Sequence, residues 1–219
     1  NRKNIKIGIG GYLDTTLPVL DGLKEQYPDA RIIIADDIMR TLRSIKTDNE
    51  IKCLREAFRI SELATKEVLE TIRPGLTELQ IVGAAQKVIY ENGAEYEGLP
   101  MYVFAGHSSR HAISRSSHKV IKEGDIVQLN ISARVDGYSA CIGIPVSMGI
   151  VSGHKRDIVE FGLYAHGWTR EQLKAGVKSS AIAKDYIDLF KSNGYQDNYL
   201  YGPCHGIGMI EVEAPWMES

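Results

Sequence analysis

The chain has 219 residues, 43% of them hydrophobic and 25% charged, which excludes a disordered chain and leaves ample apolar material for a core. Lysine and arginine number 26 against 28 acidic residues, for a net charge of −2, and so even a balance argues against nucleic acid or an anionic membrane as partner. No apolar run approaches the roughly 18–20 residues of a membrane span, and three scattered cysteines (Cys53, Cys141, Cys204) make no disulfide framework, so a cytoplasmic protein is expected.

Asn1-Arg2-Lys3-Asn4 opens the chain without the apolar stretch of a signal peptide behind it. Ile5 to Gly10 alternates in strand fashion, residues 17–27 read as a short helix, and Arg31 to Ala35 is a buried-strand run. Asp36-Asp37 then opens a helix with Ile38, Met39 and Leu42 on one side. This β-α-β-α piece is too small for a domain and too regular for a linker. At the other end, the turn-rich stretch before Trp216-Met217-Glu218-Ser219 has no closing element. The chain is therefore expected to be a segment of a longer protein.

A repeat runs through the middle. Ile72-Arg73-Pro74-Gly75-Leu76 parallels Leu173-Lys174-Ala175-Gly176-Val177, with Gly75 and Gly176 standing 101 residues apart. The same offset pairs Ala64 with Ala165, Glu70 with Glu171, Ile81 with Ile182, and Asn92-Gly93 with Asn193-Gly194. Both copies show helical apolar spacing and stop at Asn-Gly, the C-cap chemistry that tolerates left-handed backbone. Each unit reads helix, Gly turn, helix, Gly stop, extended chain. The period is too long for a solenoid and fits a duplicated α+β half-domain, with two halves facing across a cleft.

Strands follow in the first unit. Met101 to Phe104 is short and apolar, Asp125 to Ala133 alternates, Asp136-Gly137 is a hairpin tip, and Ser139 to Met148 returns. This pairing lets Asn130 and Cys141 approach across the hairpin on one face. His118, His154 and His166 read as solvated or packing residues. His205 is different, because Gly202-Pro203-Cys204-His205-Gly206-Ile207-Gly208 holds an imidazole among glycines, where backbone bends and comes close to something. His111 stands in the polar loop before the hairpin, where sites on rigid scaffolds tend to lie. His111 and His205 are the candidate acid/base pair in a cleft. Tyr199, Tyr201 and Trp216 read as core, with pocket walls as the alternative.

Gly202 to Glu213, followed by Ala214-Pro215, resembles the His-Gly-Ile-Gly signature of the pita-bread hydrolases, a family that includes methionine aminopeptidase, Xaa-Pro aminopeptidase, prolidase and creatinase. Arg43-Ser44-Ile45-Lys46-Thr47 with Glu50-Ile51, Lys122 to Val127, and Asp136-Gly137-Tyr138 strengthen the resemblance. It implies an α+β chain: a duplicated pita-bread fold, antiparallel sheet with flanking helices, over residues 43–219 and incomplete at its C-terminus. Residues 1–42 would be the end of an α/β N-terminal domain. A homodimer is expected from the family.

The resemblance also implies a site, and here the sequence departs. The family's peptidases hold two divalent metals with two aspartates eleven apart, one histidine and two glutamates. The aspartate positions fall on Asn130 and Cys141, the histidine is His205, and the glutamates would lie beyond Ser219. The family's early substrate-binding histidine aligns with His111 and its later one with Val212, beside a retained Glu213 that is not a metal ligand. Bridging two hard cations needs anionic oxygens, which a neutral amide and a soft thiol do not supply. If metal is present, His205 is the only retained ligand in this segment.

The expectation is therefore a hydrolase of C–N bonds that works without metal or other cofactor. His111 and His205 would move protons, and Asn130, Cys141, Val212 and Glu213 would contact a small nitrogen compound or short peptide. The alternatives are a dinuclear Mn, Co or Zn Xaa-Pro aminopeptidase or dipeptidase, and an inactive pita-bread module that binds peptides or a partner protein. Cys141 as a covalent nucleophile would require a nearby histidine and a lowered pKa.

Overall fold

In a computed structural model of the protein, residues 5–111, 113–151 and 153–217 are described; the readings of the first four residues and of Glu218-Ser219 lie outside them. The chain divides after Lys46 into two compact units.

The first unit is a β-α-β-α piece. Strands β1 (Lys6–Ile9) and β2 (Arg31–Ile34) pair in parallel, joined by helix α1 (Leu17–Gln26) and followed by α2 (Asp36–Ser44). Leu17-Pro18 opens α1, where proline's fixed φ suits the first turn and no N–H is wasted. Asp36 accepts from the backbone N–H of Gly11 at 2.6 Å, tying the loop after β1 to the start of α2.

The second unit begins with α3 (Asp48–Thr71) and α4 (Glu78–Glu91), both entered through capping boxes, Thr47 with Glu50 and Thr77 with Gln80. A sheet of three antiparallel strands follows, β3 (Tyr102–Ala105), β4 (Ile126–Val135) and β5 (Tyr138–Ser147), in that order across the sheet. Asp136 and Gly137 connect β4 and β5 with φ of 48° and 82°, the paired left-handed residues of a tight hairpin turn.

The period-2 alternation of β4 sorts its side chains between two faces. Val127, Leu129, Ile131 and Ala133 are fully buried and form the core with Val103 and Ala105 of β3 and with Ile60, Ala64, Val68, Ile81, Ala85 and Ile89 of the two helices. Gln128, Asn130 and Ser132 point to the other face, where their cross-strand partners are Pro145, Gly143 and Cys141, and Tyr102 stands opposite Asn130. The helices cover one side of the sheet, and the other side is left for chemistry.

The repeat is present in the structure. Helices α5 (His154–Gln172) and α6 (Ser179–Ser192) end or begin at positions 101 residues after the matching ends of α3 and α4: Gln172 after Thr71, Ser179 after Glu78, Ser192 after Glu91. The equivalence reaches side chains, since Asn92 donates to the carbonyl of Val88 at 2.9 Å and Asn193 to that of Leu189 at 2.8 Å. His154 and His166 lie exposed on α5, and His118 is exposed in its loop.

Two readings need correction. The stretch after the His-Gly turn is not without regular structure, because β6 (His205–Gly206) pairs antiparallel with β7 (Glu213–Trp216) across an irregular register. Nor do all three aromatic residues join the core. Tyr199 meets Phe190 at 5.7 Å in an aromatic cluster on α6, but Tyr201 and Trp216 are 56% and 47% exposed. They sit on an extended segment and a two-stranded edge, which no described element covers. No helix among the described residues is long and apolar enough to cross a membrane.

Candidate functional site

The face of the β3-β4-β5 sheet opposite the helices carries the candidate site. Asn130 is 2% exposed on β4, and Cys141 lies diagonally across on β5, two residues from Asn130's direct partner Gly143. The Cys141 thiol donates to Asn130 Oδ1, so the juxtaposition expected from the hairpin is present. Asn130 in turn donates through Nδ2 to Glu211 Oε1 at 3.1 Å. Glu211 is 5% exposed, and its other oxygen, Oε2, is buried with no hydrogen-bond partner among the described residues.

Glu211 reaches this place because the turn from His205 to Glu213 is strapped to the hairpin. The Ser139 N–H donates to the Gly208 carbonyl at 2.8 Å, and the Ser139 hydroxyl and the Arg134 guanidinium each donate to the Met209 carbonyl at 3.4 Å. Glycine at 206 is obligatory, since a Cβ there would stand 2.7 Å from the Ala214 carbonyl carbon on β7. At Gly208 a Cβ would collide with the buried carboxylate of Glu213. Glu213 thus lies behind the turn, while Glu211, two residues earlier, faces Asn130. Val212 between them is half-buried.

Burial pushes the Cys141 thiol well up, the Glu211 carboxylate adds to the rise, and the Asn130 amide opposes it. Burial and the neighbouring carboxylate keep the thiol protonated, which makes it a poor thiolate nucleophile. Tyr102, half-buried on β3, has its hydroxyl pushed up to about 12, mainly by the partial burial and then by Cys141, Glu211 and Tyr201. Its ring stacks on Phe104 at 4.6 Å and 7°.

The two histidines stand differently. His205 is exposed on β6, its Nδ1 2.9 Å from the Gly206 carbonyl. His111 is exposed at the end of the one-turn helix Gly106–Arg110, where a loop was expected, with its ring edge-on to Phe104 at 6.4 Å. Among the described residues no hydrogen bond joins either imidazole to Asn130, Cys141 or Glu211. The structure thus joins Asn130 to Cys141 directly, and leaves His111 and His205 exposed and without a hydrogen bond to that pair.

The donor set does not suit two divalent cations. Asn130 and Cys141 offer a neutral amide and a thiol, both already engaged in hydrogen bonds, whereas two hard cations need anionic oxygens. Among the described residues no three of His, Cys, Asp and Glu are grouped to hold a metal ion. The member of this cluster that sequence reasoning did not single out is Glu211. Its signal was present, an acid alternating with Glu213 in Glu211-Val212-Glu213, but only the folded turn puts it against Asn130.

Comparison with known proteins places this site in context. Residues 52–219 match the model of metallopeptidase family M24. The Xaa-Pro dipeptidase of Pyrococcus furiosus is 27% identical over 209 residues, which cover 95% of this chain and 60% of that protein. Among solved structures, the Xaa-Pro dipeptidase from Bacillus anthracis superposes with a TM-score of 0.90 at 29% identity, covering 98% of this chain and 60% of that one. The X-Pro aminopeptidase from Thermotoga maritima gives 0.89 at 26% identity, covering 98% and 60%. The chain thus spans about three fifths of the length of these relatives.

Proposed function

Since the chain belongs to metallopeptidase family M24, with the pita-bread fold of that family, we propose that the protein is a hydrolase of C–N bonds that acts on a small nitrogen compound or a short peptide without a pair of metal ions. The observation that carries this reading is the neutral, hydrogen-bonded pair Asn130 and Cys141 beside the buried carboxylate of Glu211. Two hard cations need several anionic oxygens, whereas an amide and a carboxylate on one sheet face suit the orientation of a polar organic substrate.

In this reading the imidazoles do the proton work. One histidine takes a proton from the attacking water as oxygen adds to the substrate carbon. A histidine then delivers a proton to the departing nitrogen as the C–N bond breaks. His205 and His111 are the candidates, and their exposed position suits groups that exchange protons with solvent between turnovers. Asn130 orients the substrate by hydrogen bonds, and Val212 and Glu213 shape the wall behind it.

The names of the relatives favour a second reading, a dinuclear metal-dependent Xaa-Pro peptidase. Metal analysis of the full-length protein at neutral pH separates the two. The proposed reading expects no stoichiometric Mn, Co or Zn and turnover that survives chelator, on a panel of amidine, guanidino, cyclic amine and Xaa-Pro substrates. About two metal equivalents and chelator-sensitive turnover would establish the second reading instead. His205→Ala should lower kcat by roughly a hundredfold or more if that imidazole moves a proton. Absence of turnover on the whole panel would indicate a binding module.

A further inference from the structure

We infer that Glu211, held by Asn130 on the site face of the sheet, is the anchor for one organic cation, a protonated amine, amidinium or guanidinium nitrogen of the substrate. The inference rests on the hydrolase reading of the same site and names the substrate class it would take.

The first argument is the orphaned oxygen. A buried carboxylate keeps its charge cheaply only when both oxygens are met by donors, and an unmet buried acceptor costs on the order of 1–3 kcal/mol. Glu211 Oε1 is met by Asn130 Nδ2 at 3.1 Å, and Oε2 is met by nothing among the described residues. The Cys141 thiol lies close enough to Glu211 for the carboxylate to help hold its proton on, but the thiol points that proton at Asn130 Oδ1, and Oε2 itself is left without a partner among the described residues. Arg134 does not fill it either, since its guanidinium donates to Ser139 Oγ and the Met209 carbonyl. The missing partner is an N–H or O–H donor brought by something else.

The second argument is charge. Asn130 and Cys141 are neutral and Glu211 brings one negative charge, so these three residues present a single charge to a ligand. That matches one positive nitrogen. A divalent ion would be left undercompensated, and it would meet an amide and a protonated thiol as its other neighbours.

The third argument is the aromatic wall. Tyr102 stands directly across from Asn130 in the sheet register, and its ring extends through Phe104 as a stacked pair. The Glu211 carboxylate is among the groups that hold the Tyr102 hydroxyl proton on, so the ring flanks the same place. An aromatic surface beside a buried carboxylate suits delocalised organic cations, which are weakly hydrated and attracted to ring faces.

The test is isothermal titration of the full-length protein in low-salt buffer at neutral pH with two matched pairs. Methylguanidine is compared with neutral methylurea, and n-propylamine with n-propanol. The cation of at least one pair should bind more tightly than its neutral partner by about tenfold to a hundredfold, the worth of a charge-assisted hydrogen bond. Which pair shows the preference identifies the source as guanidinium or ammonium. Glu211→Gln, which keeps the shape and the bond from Asn130, should erase that preference. Equal binding of cation and neutral partner by the unmodified protein overturns the proposal without any variant. So does Mn²⁺ that displaces methylguanidine and loses its own binding in Glu211→Gln, for Glu211 would then be a metal anchor. Cation preference without turnover on any substrate upholds the anchor and defeats the hydrolase reading. Turnover without cation preference defeats the anchor alone.

Discussion

At the scale of single residues, Cys141 shows how position decides chemistry. A thiol on a strand face beside a carboxylate invites a nucleophilic role, but burial and the Glu211 charge both hold its proton on. At any given pH the thiolate fraction is below that of an ordinary cysteine. Iodoacetamide at pH 8 should therefore modify Cys141 at least about tenfold more slowly than a free-cysteine peptide, read by mass spectrometry of the native protein. Rapid labelling would remove the basis for calling it neutral. The sign for stability follows as well. The folded thiol binds its proton more tightly than the unfolded one, whose pKa is near 9.0, so this group's contribution is present below pH 9 and is lost as pH rises above it.

At the scale of elements, the two copies of the helix pair are a built-in comparison. Helix α4 begins with the Thr77–Gln80 capping box, with Thr77 N–H donating to Gln80 Oε1 at 2.8 Å. The matching position before α6 is Lys178, which makes no side-chain cap. Thr77→Ala should cost about 0.5–2 kcal/mol in urea denaturation, while Lys178→Ala should stay within about 0.5 kcal/mol. Equal costs would mean that the first cap is redundant. The helices themselves were legible from apolar spacing and the Asn-Gly stops, and β4 from its alternation, because those signals are local. The pairing of β6 with β7 was not legible. Its partners are separated by a turn of irregular backbone, and its register depends on a close approach at Gly206 that no periodicity encodes.

At the scale of the whole molecule, the sheet's buried face explains why the site face is free to be polar. Leu129 is fully buried between β3, β5 and the helices α3 and α4, and Leu129→Ala should cost about 2–5 kcal/mol, measured as a fall in the denaturation midpoint. Its neighbour Asn130 points the opposite way, and a substitution there should move binding far more than stability, apart from the bond it gives Glu211. One residue's step along β4 therefore separates fold from function.

The sequence by itself determined the duplicated helix pairs, the β4–β5 hairpin, and the approach of Asn130 to Cys141. Each of these follows from spacing, turn chemistry or residue type along a short stretch of chain. Only the tertiary structure decided that Glu211 joins that pair, that burial and Glu211 keep the Cys141 thiol protonated, and that His205 and His111 stand exposed and unbonded to them. Glu211 lies 81 residues from Asn130 in sequence. Its place is set by hydrogen bonds from the hairpin to the carbonyls of Gly208 and Met209, and backbone carbonyls carry no side-chain signature that a sequence could display.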